Sequence, residues 1–297
     1  MWIIREGKAI MSNIEISEAE TRKLQRISLK MVKYFDSVCR ENKLTYFLCG
    51  GCCIGAVRNK GFIPWDDDVD VFMPREDYER LKDVWKDSPK YSIQYETQNV
   101  HTANQFLTIH DNETTFIETY KKDLNINHGV KLDVLPIDGC PQGYKRRLQK
   151  LWALAYALFI VGRAPENHGK VVYAFGKLAL FLVSSNHLRD KIWRFCEKQM
   201  SRYPISTCQN VTELCSGPRY MQMEYPAELF SRQKYVPFED TSLPIPIGYD
   251  TYLTMAFGDY MTLPPLSERV CHHEYECLDT EHSYRIYKKD RYCTALK

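Results

Sequence analysis

The densest chemistry in this sequence lies between Cys49 and Arg75, which reads CGGCCIGAVRNKGFIPWDDDVDVFMPR. Asp66, Asp67 and Asp68 stand side by side, and Asp70 follows after one valine. Carboxylates this close repel, and the repulsion grows beside a low-dielectric wall. A hard divalent cation, Mg2+ or Mn2+, is the natural compensator, because both prefer oxygen ligands. With Val69 to Met73 as a strand, alternation puts Asp68 and Asp70 on one face and Val69 and Val71 on the other. Two carboxylates on one face can grip one or two ions. Asp66 and Asp67 lie nearby, where one could orient the waters of a metal. Upstream, Gly50 and Gly51 follow the apolar run Tyr46-Phe47-Leu48 and suit a tight strand-to-helix turn. Bare amides at a helix N-terminus suit phosphate oxygens. A solvated acidic turn is the alternative for an Asp-x-Asp alone; the glycine pair and the flanking apolar residues favour chemistry.

Glycine turn plus Asp-x-Asp is the layout of the nucleotidyltransferase (polymerase-β-like) half-site. There a metal clamps a di- or triphosphate while an acceptor oxygen attacks in line. A second anomaly is Asp133, set between Leu132 and Val134 in HGVKLDVLPIDG. A carboxylate in an apolar strand needs a partner. If this strand lies beside the first, Asp133 completes a three-carboxylate metal site with Asp68 and Asp70. The alternative is that Asp133 caps a turn. Asp138-Gly139 is the better turn candidate, so Asp138 is read as structural. Arg58 and Lys60 are placed to offset charge on a leaving nucleotide, or are solvated ends of the short helix.

The stretch GAVRNKGFIPWDDDVDVFMPREDYERL resembles the signature of the LicD family, phosphocholine and related phosphoalditol transferases of bacterial surface glycans whose core is shared by the fukutin proteins. Where that family has Gly-Gly-Thr-Leu-Leu-Gly-Ala, this chain has Gly50-Gly51-Cys52-Cys53-Ile54-Gly55-Ala56. The cysteines keep the backbone amides but remove any hydroxyl contact there. The ending Pro-Ile-Pro, Tyr-Asp-x-Tyr-Leu, Gly-Asp-Tyr, Pro-Pro, His-His is also similar, so the likeness runs from the first strand to His273. It implies an Asp at position 133, a CDP-choline or similar CDP-alcohol donor, and a glycan acceptor, often lipid-linked. One of His272 and His273 would reach the donor phosphate or the outer shell of the metal. Neighbours on a strand face opposite ways, so a hydrogen-bonded structural pair is the other reading.

The elements that must position these residues can be read in order. Ser17 to Glu20 is a capping box, and Leu24, Ile27, Met31, Tyr34, Phe35 and Val38 recur at helical spacing. Strands are predicted at Thr45 to Cys49, Val69 to Met73, Tyr91 to Tyr95, Gln105 to His110, Thr114 to Thr119 and around Asp133, with helices at Gly51 to Asn59 and Arg75 to Trp85. Leu151 to Gly162 and Val171 to Val183 read as a helical hairpin, each too short to span a bilayer. Lys145, Arg146, Arg147 and Lys150 precede it, so a sharper reading rests residues 145–183 on anionic lipid. A helix is predicted from Asn186 to Arg202, edge strands at Tyr235 to Glu239 and Leu243 to Pro246, and a short helix from Tyr249 to Phe257. The tail past Cys277 is polar and says little.

The expected class is α+β, a nucleotidyltransferase mixed-sheet core at 1–140, a helical insertion at 141–203, and a loop-rich segment at 204–297 that completes the catalytic domain. Forty Lys and Arg against thirty-eight Asp and Glu leave +2, which argues against a nucleic-acid partner. Eleven scattered cysteines with no leader pattern point to free thiols in a reducing cytoplasm, with a peripheral position on the inner membrane face as the sharper variant. Cys49 and Cys52 read as packing thiols, and the first ten residues are given no role. The activity read here is metal-dependent transfer of phosphocholine from a CDP-linked donor to a sugar hydroxyl of lipopolysaccharide or teichoic acid. The rivals are a nucleotidyltransferase releasing pyrophosphate and an inactive glycan- or lipid-binding module.

Overall fold

A computed structural model describes residues 17–166, 169–271 and 274–294. The first ten residues, His272 and His273 lie outside them. Helix α1 (Glu18–Glu41) opens on the predicted capping box: the Ser17 hydroxyl accepts the Glu20 amide, and the Glu20 carboxylate accepts the Ser17 amide at 3.0 Å. Its buried stripe includes Leu24, Met31, Val32 and Phe35. Gln25 points inward as well, and its amide group donates to the carbonyls of Ile63 (3.0 Å) and Asp66 (2.8 Å). The first helix thus pins the loop that leads into the acidic run.

After β1 (Phe47–Leu48) and α2 (Gly50–Arg58), strand β2 (Asp70–Pro74) enters the sheet and α3 (Arg75–Val84) leaves it. Strands β3 (Tyr91–Gln94), β4 (Leu107–Asp111), β5 (Thr115–Glu118) and β6 (Lys131–Cys140) follow. The main sheet runs β1-β2-β6-β4-β3, with β2 and β6 parallel and the other pairs antiparallel. Strand β4 flanks β6 as far as Val134, and β7 (Asn210–Glu213) takes over from Ile137, with β8 (Tyr225–Pro226) beyond it. The long β6 is buried on both faces, as a strand covered on both sides must be, yet it carries Asp133 and Asp138 inside it. It runs straight through Asp138-Gly139, so the turn predicted there is corrected: Asp138 is an interior residue with no exposed surface.

Between β6 and β7 lie α4 (Tyr144–Val161), α5 (Lys170–Leu182) and α6 (Asn186–Met200). The two predicted apolar helices do touch, Leu158 of α4 lying against Gly176 of α5, but α4 has its main partner in α6. Helix α4 packs on α6 through Trp152–Phe195 and Tyr156–Trp193 edge contacts over a core of Ala153, Ile160, Cys196 and Met200. Helix α5 buries only Gly176 and Leu180 among its described residues. Helix α4 starts earlier than predicted and takes the basic run into its first turns. Arg146 turns inward there, onto Glu224 (2.9 Å), Thr212 (2.9 Å) and the carbonyl of Met221 (2.7 Å).

The last third forms the predicted pair β9 (Gln233–Phe238) and β10 (Thr241–Pro246), a separate two-stranded ribbon. Helix α7 (Tyr249–Phe257) packs against α2 and β10. The polar tail does more than expected: β11 (Tyr275–Asp279) returns to pair with β5. All eleven cysteines are free thiols, with Cys49, Cys52 and Cys53 buried in the core. No single helix among the described residues is long and apolar enough to cross a membrane, though α5 and α6 pass that test together across a 120° bend.

Candidate active site

Strand pairing decides where the carboxylates go. In the parallel β2–β6 ladder Asp70 is the register partner of Asp133, and the Asp133 amide donates to the Val69 carbonyl at 2.9 Å. Register partners present their side chains on the same face of a sheet. Asp138 lies five positions beyond Asp133 on the same strand, an odd number, and so belongs to the other face. Asp68 sits on the loop just ahead of β2. The regular strand begins only at Asp70, so alternation does not govern the run upstream. That run folds on itself, and oxygens of Asp66, Asp67 and Asp68 come within 4.8 Å of one another. The tightest group of carboxylates is therefore one step upstream of the predicted trio, beside the Asp70–Asp133 pair.

Gly51 makes room for this. A Cβ on Gly51 would overlap the Asp66 carboxylate, which packs against the first turn of α2. Gly50 adopts a positive φ of 53°, open to glycine at no steric cost. Its amide donates to the Tyr252 hydroxyl of α7 at 3.0 Å, so one of the two amides predicted for phosphate already has a partner. The Cys52 thiol donates to the Asp68 carbonyl at 3.5 Å, and the Cys49 amide to the Asp70 carbonyl at 3.1 Å. The two cysteines thus brace the acidic loop while burial pushes both thiols well above the usual range.

The electrostatics are those of crowded acids. Burial, then Asp68 and Asp133, pushes the Asp70 carboxyl up to about 8, against the pull of Lys131. Burial and Asp68 likewise hold Asp66 well above the usual carboxylate range. Asp133 is held by a charge chain that sequence reasoning missed. Lys131, two residues back on the same face, donates to Asp133 Oδ2 (3.0 Å) and lies 3.3 Å from Glu118. Lys121 and the Tyr120 hydroxyl donate to Glu118 at 2.6 and 2.7 Å. Burial opposes ionisation of Glu118, but Lys131 and Lys121 outweigh it and keep the carboxyl well below the usual range. The other oxygen of Asp133, Oδ1, is buried without a hydrogen-bond partner among the described residues. A buried acceptor left open, beside carboxyls whose ionisation is opposed by burial and then by their acidic neighbours, fits a divalent cation with oxygen ligands. The one available hint of the chain was the Lys131-x-Asp133 spacing.

The remaining predicted residues lie around this centre. Arg58 donates to the Tyr260 carbonyl at 2.9 Å, and its basicity is lowered by burial and then by Arg269. Arg269 stacks over Trp65 at 5.4 Å from the ring centroid, next in sequence to Asp66. Two guanidiniums thus crowd together beside the acidic loop, an arrangement that suits an anion. Lys60 is exposed at a positive φ of 59° and its carbonyl accepts the Glu239 amide. His272 and His273 fall outside the described residues.

Glu213, also missed, ends β7 opposite Ile137 and accepts the Cys215 amide. Burial pushes its carboxyl up to about 7. After burial and the opposing charge of Arg219, Glu213, Cys49 and Asp70 all raise the Tyr220 hydroxyl, so these groups share one neighbourhood. A carboxyl raised in the folded state keeps a proton that the unfolded chain has shed. Stability therefore falls as pH rises from the usual carboxylate range towards about 7. Glu213→Gln is expected to match the wild type in melting at pH 5 and to exceed it at pH 8 by on the order of 2 kcal/mol. An equal gap at both values would refute this assignment.

The family model described as LicD/FKTN/FKRP, nucleotidyltransferase domain, matches residues 43–142, which hold the glycine turn, the acidic loop, Asp70 and Asp133. Lipopolysaccharide cholinephosphotransferase LicD of Haemophilus influenzae is 32% identical over 266 residues, covering 85% of this chain and 95% of that protein. The uncharacterized protein RP689 of Rickettsia prowazekii is 28% identical over 95 residues, covering 30% of this chain and 36% of its own length. The first likeness reaches well past the matched domain, into the helices and the C-terminal ribbon, and on this evidence the chain belongs to the LicD family and is a phosphotransferase of the LicD type.

Proposed function

We propose that this enzyme transfers phosphocholine, or a similar phospho-alcohol, from a CDP-linked donor to a sugar hydroxyl of a surface glycan such as lipopolysaccharide or teichoic acid. The observation that carries the reading is the Asp70–Asp133 register pair, with Asp133 Oδ1 buried and without a hydrogen-bond partner among the described residues. Support for the group and acceptor comes from the relative named a lipopolysaccharide cholinephosphotransferase. In this reading Asp68, Asp70 and Asp133 hold Mg2+ or Mn2+, which when bound would neutralise charge on the diphosphate. Lys131 keeps Asp133 oriented. Asp133 helps take the proton of the acceptor hydroxyl. The Gly51 end of α2, Arg58 and Lys60 attract the phosphates of the donor, with Arg269 added to that set. His272 or His273 would meet the donor phosphate.

The same reading takes the core as nucleotidyltransferase-like over 1–140, completed by 204–297, with 141–203 as a helical insertion. It places the enzyme in the cytoplasm, peripheral on the inner membrane face. The test is product analysis with CDP-choline, CDP-ribitol and CDP-glycerol in the presence of magnesium. Release of CMP with a phosphorylated acceptor is the expected result; release of pyrophosphate would overturn it. A donor that binds the folded form also raises the melting point.

Gly51→Ala separates site from scaffold. Alanine in a helix gains up to ~1 kcal/mol over glycine, so the fold should melt no lower. The added Cβ displaces Asp66. Turnover and the magnesium-induced rise in melting point should both fall, the former by about 10- to 100-fold, as for the loss of groups that orient metal ligands. An unaltered magnesium response in this variant would show that Asp66 plays no part in holding the ion.

A further inference from the structure

Helix α5 is built inside out for a helix bathed in water. Val171, Phe175, Leu178 and Leu182 lie at i, i+4, i+7 and i+11, one stripe of the helix, and are 68%, 69%, 53% and 71% exposed. Phe181 beside them is 77% exposed. The inward side holds little but Gly176, against Pro165 and Leu158, and Leu180. A solvent-facing stripe of this kind marks a surface meant for another phase. Lys170 and Lys177 are the charged residues of α5, and the helix has no acid.

Charge says which phase. From Tyr144 to Arg202 there are twelve Lys and Arg against three Asp and Glu, whereas the rest of the chain has twenty-eight against thirty-five. Lys145 and Arg147 on α4 and Lys191 and Lys198 on α6 are exposed. A second copy docking on this face would bring two strongly basic surfaces together. An anionic bilayer offers apolar depth and the complementary sign. Arg189 of α6 donates to the Val183 and Leu180 carbonyls at 2.6 and 2.8 Å, which fixes the end of α5 to the helix pair behind it.

We infer that α5 lies flat in the head-group region of an anionic lipid bilayer, with Val171, Phe175, Leu178 and Leu182 facing the acyl chains and the basic flanks of α4 and α6 over the lipid phosphates. This deepens the peripheral placement proposed above and rests on it. Binding is read without turnover, so a failed bilayer test leaves the transfer reaction standing, and an inactive enzyme leaves this surface standing.

The experiment is flotation of the full chain with vesicles of phosphatidylcholine alone and of phosphatidylcholine mixed with phosphatidylglycerol, with sedimentation equilibrium alongside. The wild type should float with the anionic vesicles, more weakly at high salt, and poorly with the neutral ones. Phe175→Glu with Leu178→Glu, both at exposed positions, should fold normally by circular dichroism and partition about tenfold or more weakly. Lys170→Glu with Lys177→Glu should lose the preference for anionic vesicles. Wild-type protein that stays with the unfloated fraction overturns the inference, and so does a dimer that the Phe175→Glu, Leu178→Glu variant dissolves.

Discussion

Asp70→Asn is expected to lower turnover about a thousandfold or more while leaving the chain folded. Asparagine keeps the size of the side chain and one carbonyl oxygen, but it cannot bring negative charge to a cation. In the wild type Asp70 faces Asp133 across the parallel ladder with Asp68 just upstream, and burial with these neighbours pushes its carboxyl up to about 8. The sign of the stability effect follows. The folded wild type without a cation holds a proton that the unfolded chain releases, so its stability falls as pH climbs from the usual carboxylate range to about 8. Asn escapes that decline and should melt above the wild type at pH 8 in the presence of chelator. A bound divalent cation favours the ionised carboxylate and reverses the order, so magnesium should raise the wild-type melting point and barely move the variant. Retention of more than a tenth of wild-type turnover, or an unchanged magnesium response, would remove Asp70 from the proposed metal site.

What could be read in advance divides along the range of the interactions involved. Local signals held: the Ser17–Glu20 capping box opens α1, and the prolines of β9 and β10 keep those strands in a ribbon apart from the main sheet. The pairing of Asp70 with Asp133 was legible for a different reason. Each aspartate breaks an apolar strand, and two such breaks are tolerable together when they can share a counter-charge. Alternation failed for Asp66 to Asp68 because the run is loop and not strand, which lets three consecutive carboxylates converge. The Glu118–Lys131–Asp133 chain, Glu213 and the Gly50–Tyr252 bond join residues distant in sequence or set by β-register. No periodicity carries that information. How the helices of residues 141–203 pack was not legible, because two apolar stretches look alike in sequence, although α4 buries its stripe against α6 and α5 turns its own outward.

Arg75→Met is expected to cost the fold about 3–5 kcal/mol, the largest stability loss from a single change away from the carboxylate site. The guanidinium of Arg75 grips Asp138 with two parallel bonds of 2.8 Å, and Asp138 is fully buried. Glu79 and Glu197 stand 3.4 and 3.6 Å from the same guanidinium, which also lies over the Tyr78 ring. Burial works against the charge on Arg75, yet Asp138 holds its basicity well above the usual value. Removing the cation strands a carboxylate in the sheet interior. Arg75→Met with Asp138→Leu removes both charges and should recover most of the loss, because an apolar pair of similar volume often replaces a buried ion pair without penalty. Neither change should touch chemistry. Asp138 lies on the opposite face of β6 from Asp133 and roughly 16 Å along the strand at 3.3 Å per residue. Chemical denaturation of the two variants, together with turnover per folded molecule, decides the matter. A double variant as unstable as the single would show that the pair contributes by packing and not by charge. A fall in turnover per folded molecule would place Asp138 in the catalytic machinery after all.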